Sequence, residues 1–394
     1  MSTDSALAEQ QRLVRLLTFL GHDPGNLTLL CDAMGLAIAL GDQISGRKLI
    51  EHVNNYRIED PRVFAHGAHL LLQAGDYSAA GAFGDKAIMA GINDPAVMYN
   101  TALGHFYSAD FEAATTLLAH LTQHADCPAT TLLMHARALH QLEQTEEAEV
   151  LVTRAQQLEP DNLNIRGLLA LLRYENDNLP QALSTAHETL AVDPDQRDAL
   201  IACATVQFEQ HNVAAARKAW HHTLKVYPDC GRAWSGLGLL EFSELQFELA
   251  ENHLKTAVQW MPNHIGTWHL LAWIYILRKD SAQARAALDK SYALDRSFGD
   301  THGGLAVIDI MEGHSDLARK GIRRALRLKP DSLAAHYAQA LLLQQAGRAE
   351  EAQRLISGLL ENNRPGTNIT GRMLVNQWLQ LHQQGTAPPN PGQH

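Results

Sequence analysis

Residues 231–264, GRAWSGLGLLEFSELQFELAENHLKTAVQWMPNH, and the following residues 265–298, IGTWHLLAWIYILRKDSAQARAALDKSYALDRSF, align over 34 positions without a gap. Both carry Trp at position 4 (Trp234, Trp268), a small residue at position 8 (Gly238, Ala272) and Ala at position 20 (Ala250, Ala284). The same period extends outward from Leu27 to Gly366 as ten units: 27–60, 61–94, 95–128, 129–162, 163–196, 197–230, 231–264, 265–298, 299–332 and 333–366. Position 20 then reads Gly46, Ala80, Ala114, Ala148, Ala182, Ala216, Ala250, Ala284, Ala318, Ala352. Position 8 reads Met34, Ala68, Ala102, Ala136, Ala170, Ala204, Gly238, Ala272, Ala306, Ala340. A fixed period of this size marks a repeat architecture.

Small residues recurring at two fixed places have a physical reason. Where two helices cross, a side chain larger than a methyl group forces the axes apart. Larger apolar residues surround the crossing, among them Leu237, Leu254 and Val258 in one unit and Leu271, Leu288 and Tyr292 in the next. Each unit therefore reads as a helical hairpin. Gly75-Asp-Tyr77, Asp177-Asn-Leu-Pro180, Gly313-His-Ser315 and Gly347-Arg348 mark turns inside units, using residues that leave the helical region easily. Between units stand Glu159-Pro-Asp161, Asp193-Pro-Asp195, Tyr227-Pro-Asp229, Met261-Pro-Asn263 and Lys329-Pro-Asp331. There proline stops one helix and Asp or Asn helps begin another.

The pattern Trp234-x-x-Leu-Gly238, Ala250, Ala257, Pro262, and its neighbour Trp268-x-x-Leu-Ala272-x-x-Tyr275, Ala284, resembles the tetratricopeptide repeat. The resemblance covers residues 27–366 and implies an all-α, right-handed superhelical solenoid of ten helix-turn-helix repeats. Such a solenoid binds peptides or partner proteins in a concave groove lined by its first helices. The pattern departs at position 4, where Arg166, His302 and His336 stand, and at position 11, which reads Arg173, Gln207, Glu241 and Asp309. Stacked repeats need closed ends. Residues 1–26 supply an amphipathic N-terminal capping helix, and residues 367–384, with Leu374, Trp378 and Leu381, supply a C-terminal one. The proline-rich end, residues 385–394, has little to bury and reads as a flexible tail.

Composition narrows the function classes. Lys+Arg 32 against Asp+Glu 43 leaves a net charge of −11, which disfavours nucleic acid as a partner unless basic residues cluster locally. No such cluster is expected from the sequence. The longest apolar stretches, such as Leu168 to Leu172, fall well short of the roughly 20 residues that cross a bilayer. The N-terminus lacks the basic and apolar regions of a signal peptide, so the expected setting is cytoplasmic, without membrane insertion. Cys31, Cys127, Cys203 and Cys230 are far apart and form no Cys-x-x-Cys pair, which points to packing thiols rather than a zinc or disulfide framework.

Neither a metal nor an organic cofactor is expected. Of the 21 histidines, His66 with His69 and His120 with His124 have helical spacing, but neither pair has a third ligand nearby in sequence. His135, His302 and His336 fall at hairpin-packing positions and read as core histidines with backbone partners. Gly236, Gly238, Gly303 and Gly304 lie within repeat helices, where close packing explains them better than a phosphate loop. Arg173, Glu241 and Asp309 suit polar contacts between hairpin layers rather than acid-base catalysis. No catalytic constellation stands out, so an enzyme is not expected.

The family resemblance places positions 2, 5, 6, 9, 12 and 13 of each first helix on the groove. Toward the N-terminus these supply Arg62, His66, His69, Tyr99, Asn100, Tyr107 and Arg137, a polar and mildly basic lining. Toward the C-terminus they supply Leu168, Leu171, Ile201, Leu239, His269, Leu270, Trp273 and Met311. Gly236, Gly303 and Gly304 are expected to leave space beside Trp273 for a partner side chain. The carboxylate clamp of some family chaperones is matched only at Asn100, because Ala65, His69, Thr130 and Met134 occupy its other places. These features predict a non-catalytic adaptor or chaperone holding a partner segment in the groove. A self-associating scaffold, homo-oligomeric, and a regulatory subunit of an enzyme on another chain are the alternatives.

Overall fold

A computed structural model describes residues 3–361 of the chain. Helix α1 (Thr3–His22) precedes ten helix pairs. The first helices are α2 (Leu27–Leu40), α4 (Pro61–Gln73), α6 (Pro95–Tyr107), α8 (Ala129–Gln141), α10 (Leu163–Glu175), α12 (Arg197–Glu209), α14 (Gly231–Ser243), α16 (Ile265–Leu277), α18 (Gly299–Met311) and α20 (Leu333–Gln345). The second helices are α3 (Gln43–Asn55), α5 (Tyr77–Met89), α7 (Phe111–Thr122), α9 (Thr145–Leu158), α11 (Leu179–Val192), α13 (Val213–Val226), α15 (Phe247–Trp260), α17 (Ser281–Leu294), α19 (Ser315–Leu328) and α21 (Ala349–Glu361). First helices begin every 34 residues from Leu27, and second helices every 34 from Gln43. The described residues form an all-α helical repeat solenoid without a strand. The C-terminal helix expected over residues 367–384 and the tail over 385–394 lie outside the described residues.

The turn within each pair has one strict requirement, a left-handed backbone at position 15. Gly41, Gly75, Gly313 and Gly347 meet it with φ between 63° and 84°. Six repeats meet it with Ala109, Glu143, Asp177, His211, Leu245 and Lys279, at φ between 60° and 65°. For an L-residue this region costs about 1 kcal/mol or more, so packing on either side of these turns holds them in place. Asp residues cap several of the helices that follow: Asp42 accepts from the amides of Ile44 and Ser45, and Asp110 from that of Ala113.

Two compact units divide the chain, one ending at Gln210 and the other beginning at His211. In the first, each second helix packs on the first helices before and after it, as α5 does on α4 and α6. Helix α1 contributes Leu13 and Leu20 to a core shared with Leu30, Met34 and Leu49. In the second unit, Leu254, Leu271, Tyr275, Leu288 and Ile308 belong to a continuous core. The alanines at positions 8 and 20 are buried throughout. A Cβ on Gly238 would lie 2.6 Å from Leu254 Cγ, so the small residue there sets the helix spacing.

Polar residues lock neighbouring pairs in register. In four pairs, position 21 contacts positions 11 and 14 of the next. Glu149 approaches Arg173 Nε at 3.7 Å and accepts from Asn176 Nδ2 at 2.6 Å. In the second unit Arg217 lies 3.5 Å from Glu241 and 2.5 Å from Glu244. Glu251 then accepts from Tyr275 Oη at 3.2 Å and pairs with Arg278. Arg285 follows, at 2.7 Å from both Asp309 and Glu312. The key residue thus alternates Arg, Glu, Arg along this unit. Arg173, Glu241 and Asp309 make the polar contacts between layers that their place in the repeat suggested.

The departures at position 4 preserve a hydrogen bond. Trp234 and Trp268 each donate Nε1–H to a carbonyl six residues back, at Pro228 and Pro262, over 2.8 Å. His302 and His336 reach the carbonyls of Arg296 and Pro330 at 2.9 and 3.0 Å. A carbonyl only accepts, so the hydrogen of these rings sits on Nε2. Arg166 turns instead to Glu188, 3.3 Å away.

Candidate functional site on the first-helix faces

In the first unit, α4 and α6 bring His69 and Asn100 together: Asn100 Nδ2 donates to His69 Nδ1 over 3.3 Å. With Nδ1 accepting, the hydrogen of the neutral ring lies on Nε2. Burial lowers the pKa of His69, and burial followed by repulsion from His69 and Arg62 lowers that of His66. Burial raises the Tyr99 hydroxyl, with the Tyr107 hydroxyl adding to it. His66, His69, Tyr99 and Asn100 are therefore half-buried, neutral groups offering hydrogen bonds rather than charge. Exposed Tyr107 packs on Tyr77 with ring centroids 4.8 Å apart.

The two arginines expected in this lining are engaged within the protein. Arg62 makes a two-pronged contact with the N-cap Asp60, with Nε and Nη2 each 3.1 Å from a carboxylate oxygen. That contact lowers the Asp60 pKa and raises that of Arg62. Arg137 on α8 donates to Asp198 on α12 over 2.9 Å, reaching two repeats along the chain.

Leu168, Leu171 and Ile201 do not form an open lining. Their relative exposures are 0%, 3% and 6%. Leu168 packs with Leu132, Ile165 and Leu172 in the core, and α10 packs directly on α12, so first-helix contacts close these positions to a partner. Inward position in the repeat is not equivalent to access.

In the second unit, Leu239, His269, Leu270 and Trp273 are half-buried and Met311 is 37% exposed. Leu270 and Trp273 pack along the margin of the core, and Trp273 meets Tyr337 edge-on with ring centroids 5.9 Å apart. His269 Nε2 is 2.8 Å from Thr301 Oγ1, and its ring rests against Phe298 at 5.3 Å. Burial pushes the His269 pKa down to about 4.

The glycines do not open space beside the indole. A Cβ on Gly236 would lie 2.3 Å from Trp220 Cε2, and one on Gly304 2.7 Å from Leu288 Cδ1. A Cβ on Gly303 would lie 2.6 Å from the Ala335 nitrogen. All three places are filled by the protein's own atoms. Gly303 instead lets α18 and α20 approach closely, which brings Tyr337 on α20 near Trp273 on α16.

Side chains elsewhere qualify other sequence expectations. Buried His135 uses Thr122 Oγ1, 2.9 Å from its Nδ1, rather than a backbone group. Asp309, Glu312 and His314 each place one possible metal-ligand atom within 4.8 Å of the others. Arg285 already stands between both carboxylates, which explains the acidic grouping without an ion. The expectation that basic residues are unclustered is overturned on α19. Arg319, Lys320, Arg323, Arg324 and Arg327 are all exposed there. Their i, i+3 and i+4 spacing within Ser315–Leu328 is the sequence signal that net charge conceals. Sequence reasoning also missed Asp198, Thr301 and Tyr337, because pairing across repeats leaves no mark within one repeat.

Two family models described as tetratricopeptide repeat match residues 201–259 and 265–298. The chain is a tetratricopeptide repeat protein. Such repeats generally serve as protein-protein interaction scaffolds and are generally non-catalytic. No curated protein matches the chain. Among solved structures, the human IFIT1 dimer with m7Gppp-AAAA is similar at a TM-score of 0.53 and 15% identity, over 91% of this chain and 94% of that one. The APC/C hetero-tetramer Cut9-Hcn1 is similar at a TM-score of 0.53 and 14% identity, over 82% of this chain and 63% of that one. At these identities the likeness to this tetratricopeptide repeat protein is one of fold. Among its described residues, no helix is long and apolar enough to cross a membrane.

Proposed function

We propose that this protein is a non-catalytic adaptor or chaperone that holds a segment of a protein partner along the first-helix face of the unit beginning at His211. The accessible apolar set of Leu239, Leu270, Trp273 and Met311 carries the reading. These side chains retain exposure while their neighbours Ile276 and Ile310 are sealed into the core. A half-buried indole edged by aliphatic groups suits an apolar anchor residue of a partner. In the first unit, His66, His69, Tyr99 and Asn100 offer neutral hydrogen bonds to a peptide backbone.

A protein partner fits these faces better than the capped RNA named with IFIT1. Arg62 and Arg137 are tied to Asp60 and Asp198, and the chain carries a net charge of −11. Nucleic-acid affinity rests chiefly on free cations facing phosphates. The unpaired thiols of all four cysteines support a cytoplasmic setting.

The deciding experiment is affinity purification with partner identification, comparing the full chain with Trp273→Ala/Leu239→Ala. A partner retained by the parent chain and lost by the variant, with the variant still melting cooperatively well above the assay temperature by circular dichroism, is the expected outcome. Undiminished capture of every partner by the folded variant overturns the site.

A further inference from the structure

Helix α19 presents a surface unrelated to the first-helix faces. Its inward side is occupied, with Ala318, Ile322 and Ala325 buried in the unit. Its outward side carries Arg319, Lys320, Arg323, Arg324 and Arg327, five of the chain's 32 Lys and Arg residues. Asp316 is the helix's single acidic residue and pairs with Arg319 at 3.0 Å. No carboxylate among the described residues pairs with Lys320, Arg323, Arg324 or Arg327. A concentrated cationic strip therefore stands on a protein whose net charge is −11.

The strip has apolar ends. Leu317 is 52% exposed and Leu328 39% exposed. At helical pitch, Leu317, Lys320, Arg324 and Leu328 fall along one line on the surface, because steps of three and four residues return to the same side. The leucines stand about 16 Å apart along the axis, with the cations between them.

We propose that this face of α19 docks an acidic amphipathic helix of a protein partner, with carboxylates over Lys320 and Arg324 and apolar side chains against Leu317 and Leu328. About three turns of helix match the distance between the leucines. Carboxylates spaced i, i+4 on the partner repeat at the interval of the cations. A nucleic-acid strand neutralises the cations with its phosphates, but it brings no aliphatic side chains at helical spacing to cover both leucines. A bilayer is disfavoured because the main apolar side of α19 is committed to its own core and cannot insert.

The test measures binding of a fluorescein-labelled synthetic helix, two copies of Glu-Ala-Leu-Glu-Glu-Leu-Leu, to the full chain by anisotropy. A fluorescein-labelled single-stranded oligonucleotide of about 15 residues and phosphatidylserine vesicles are measured in parallel. Binding of the acidic helix is expected to weaken about tenfold or more in Lys320→Glu/Arg324→Glu, with much of the loss reproduced by raising salt. Leu317→Ala/Leu328→Ala is expected to weaken it several-fold at low and high salt alike. If charge reversal disturbs the melting curve, Lys320→Gln/Arg324→Gln supplies the same comparison. The proposal is overturned if the helix fails to bind at about 100 μM, if removing the leucines changes nothing, or if oligonucleotide or vesicles bind more tightly than the helix.

Discussion

Arg137 and Asp198 are joined across two repeats, with Nη2 donating to Oδ2 over 2.9 Å from α8 to α12. The helix between them in the series of first helices is α10, which carries fully buried Leu168. In a solenoid each repeat chiefly touches its neighbours, so a side-chain bridge skipping one shows that the first helices of this unit converge on that side. Trp273 and Tyr337 show the same relation within the second unit. The Arg137 and Asp198 side chains remain 32% and 12% exposed, so solvent screens their attraction. A double-mutant cycle with Arg137→Ala and Asp198→Asn is expected to give a coupling of about 1 kcal/mol that shrinks in molar salt. Urea unfolding followed by circular dichroism checks it, and a coupling of zero would make the pair a bystander.

The alternating key at position 21 gives a second prediction. Glu241 is almost wholly buried and has both Arg217 and His253 as partners, the latter at 2.6 Å. Arg217→Glu sets like charge against Glu241 and Glu244 and is expected to cost about 3 kcal/mol. Arg217→Met paired with Glu241→Gln should cost less, because the buried Glu241 charge is removed together with Arg217, and the partners left behind, Glu244 and His253, are more exposed to solvent. Urea midpoints of the three proteins decide the matter. Equal losses for Arg217→Glu and the double variant would remove electrostatics as the cause.

The repeat was legible because packing imposes the same demand on every unit: Ala80, Ala114 and their equivalents leave a period that survives large variation elsewhere. Less legible was which inward positions stay open. Leu168 and Leu239 look alike in sequence, yet the first is sealed and the second half-exposed, because neighbouring helices decide access. The glycines near Trp273 misled for a related reason. A missing side chain reveals that something comes close, and here that something is Trp220, Leu288 or the backbone of Ala335. The basic strip of α19 was visible in the residues but averaged away in the total charge.

The left-handed turn predicts a stabilising substitution. Ala109 is exposed and has φ 65° where four other repeats use glycine. Ala109→Gly relieves the cost of an L-residue in that region, about 1–2 kcal/mol, while giving back about 0.5–1 kcal/mol through the freer unfolded chain. A net gain of about 0.5 kcal/mol is expected. Gly75→Ala at the equivalent turn should lose about 1 kcal/mol. Melting temperatures of the pair, moving in opposite directions, check the argument, and a loss for both would refute it.

Acid should weaken both units through histidines whose pKa is lowered by burial. Burial lowers His135 in the first unit and His269 in the second to about 4, against an ordinary value of 6.5. In both cases the folded protein favours the neutral ring, so the unfolded chain binds more protons between those values. The sign follows directly: stability is full above about pH 6.5 and declines as pH falls toward about 4, where the folded rings also protonate and the decline levels off. Each histidine can contribute at most about 3 kcal/mol to that loss, and half-buried His269 less than His135. Exchanging His269 for Gln retains a hydrogen-bonding side chain near Thr301 but removes the titration. His269→Gln is therefore expected to melt closer to the parent at pH 4.5 than at pH 7, even if it is less stable at both. Thermal melts at the two pH values read the difference directly. Parallel stability curves for parent and variant would show that His269 takes no part in the acid response.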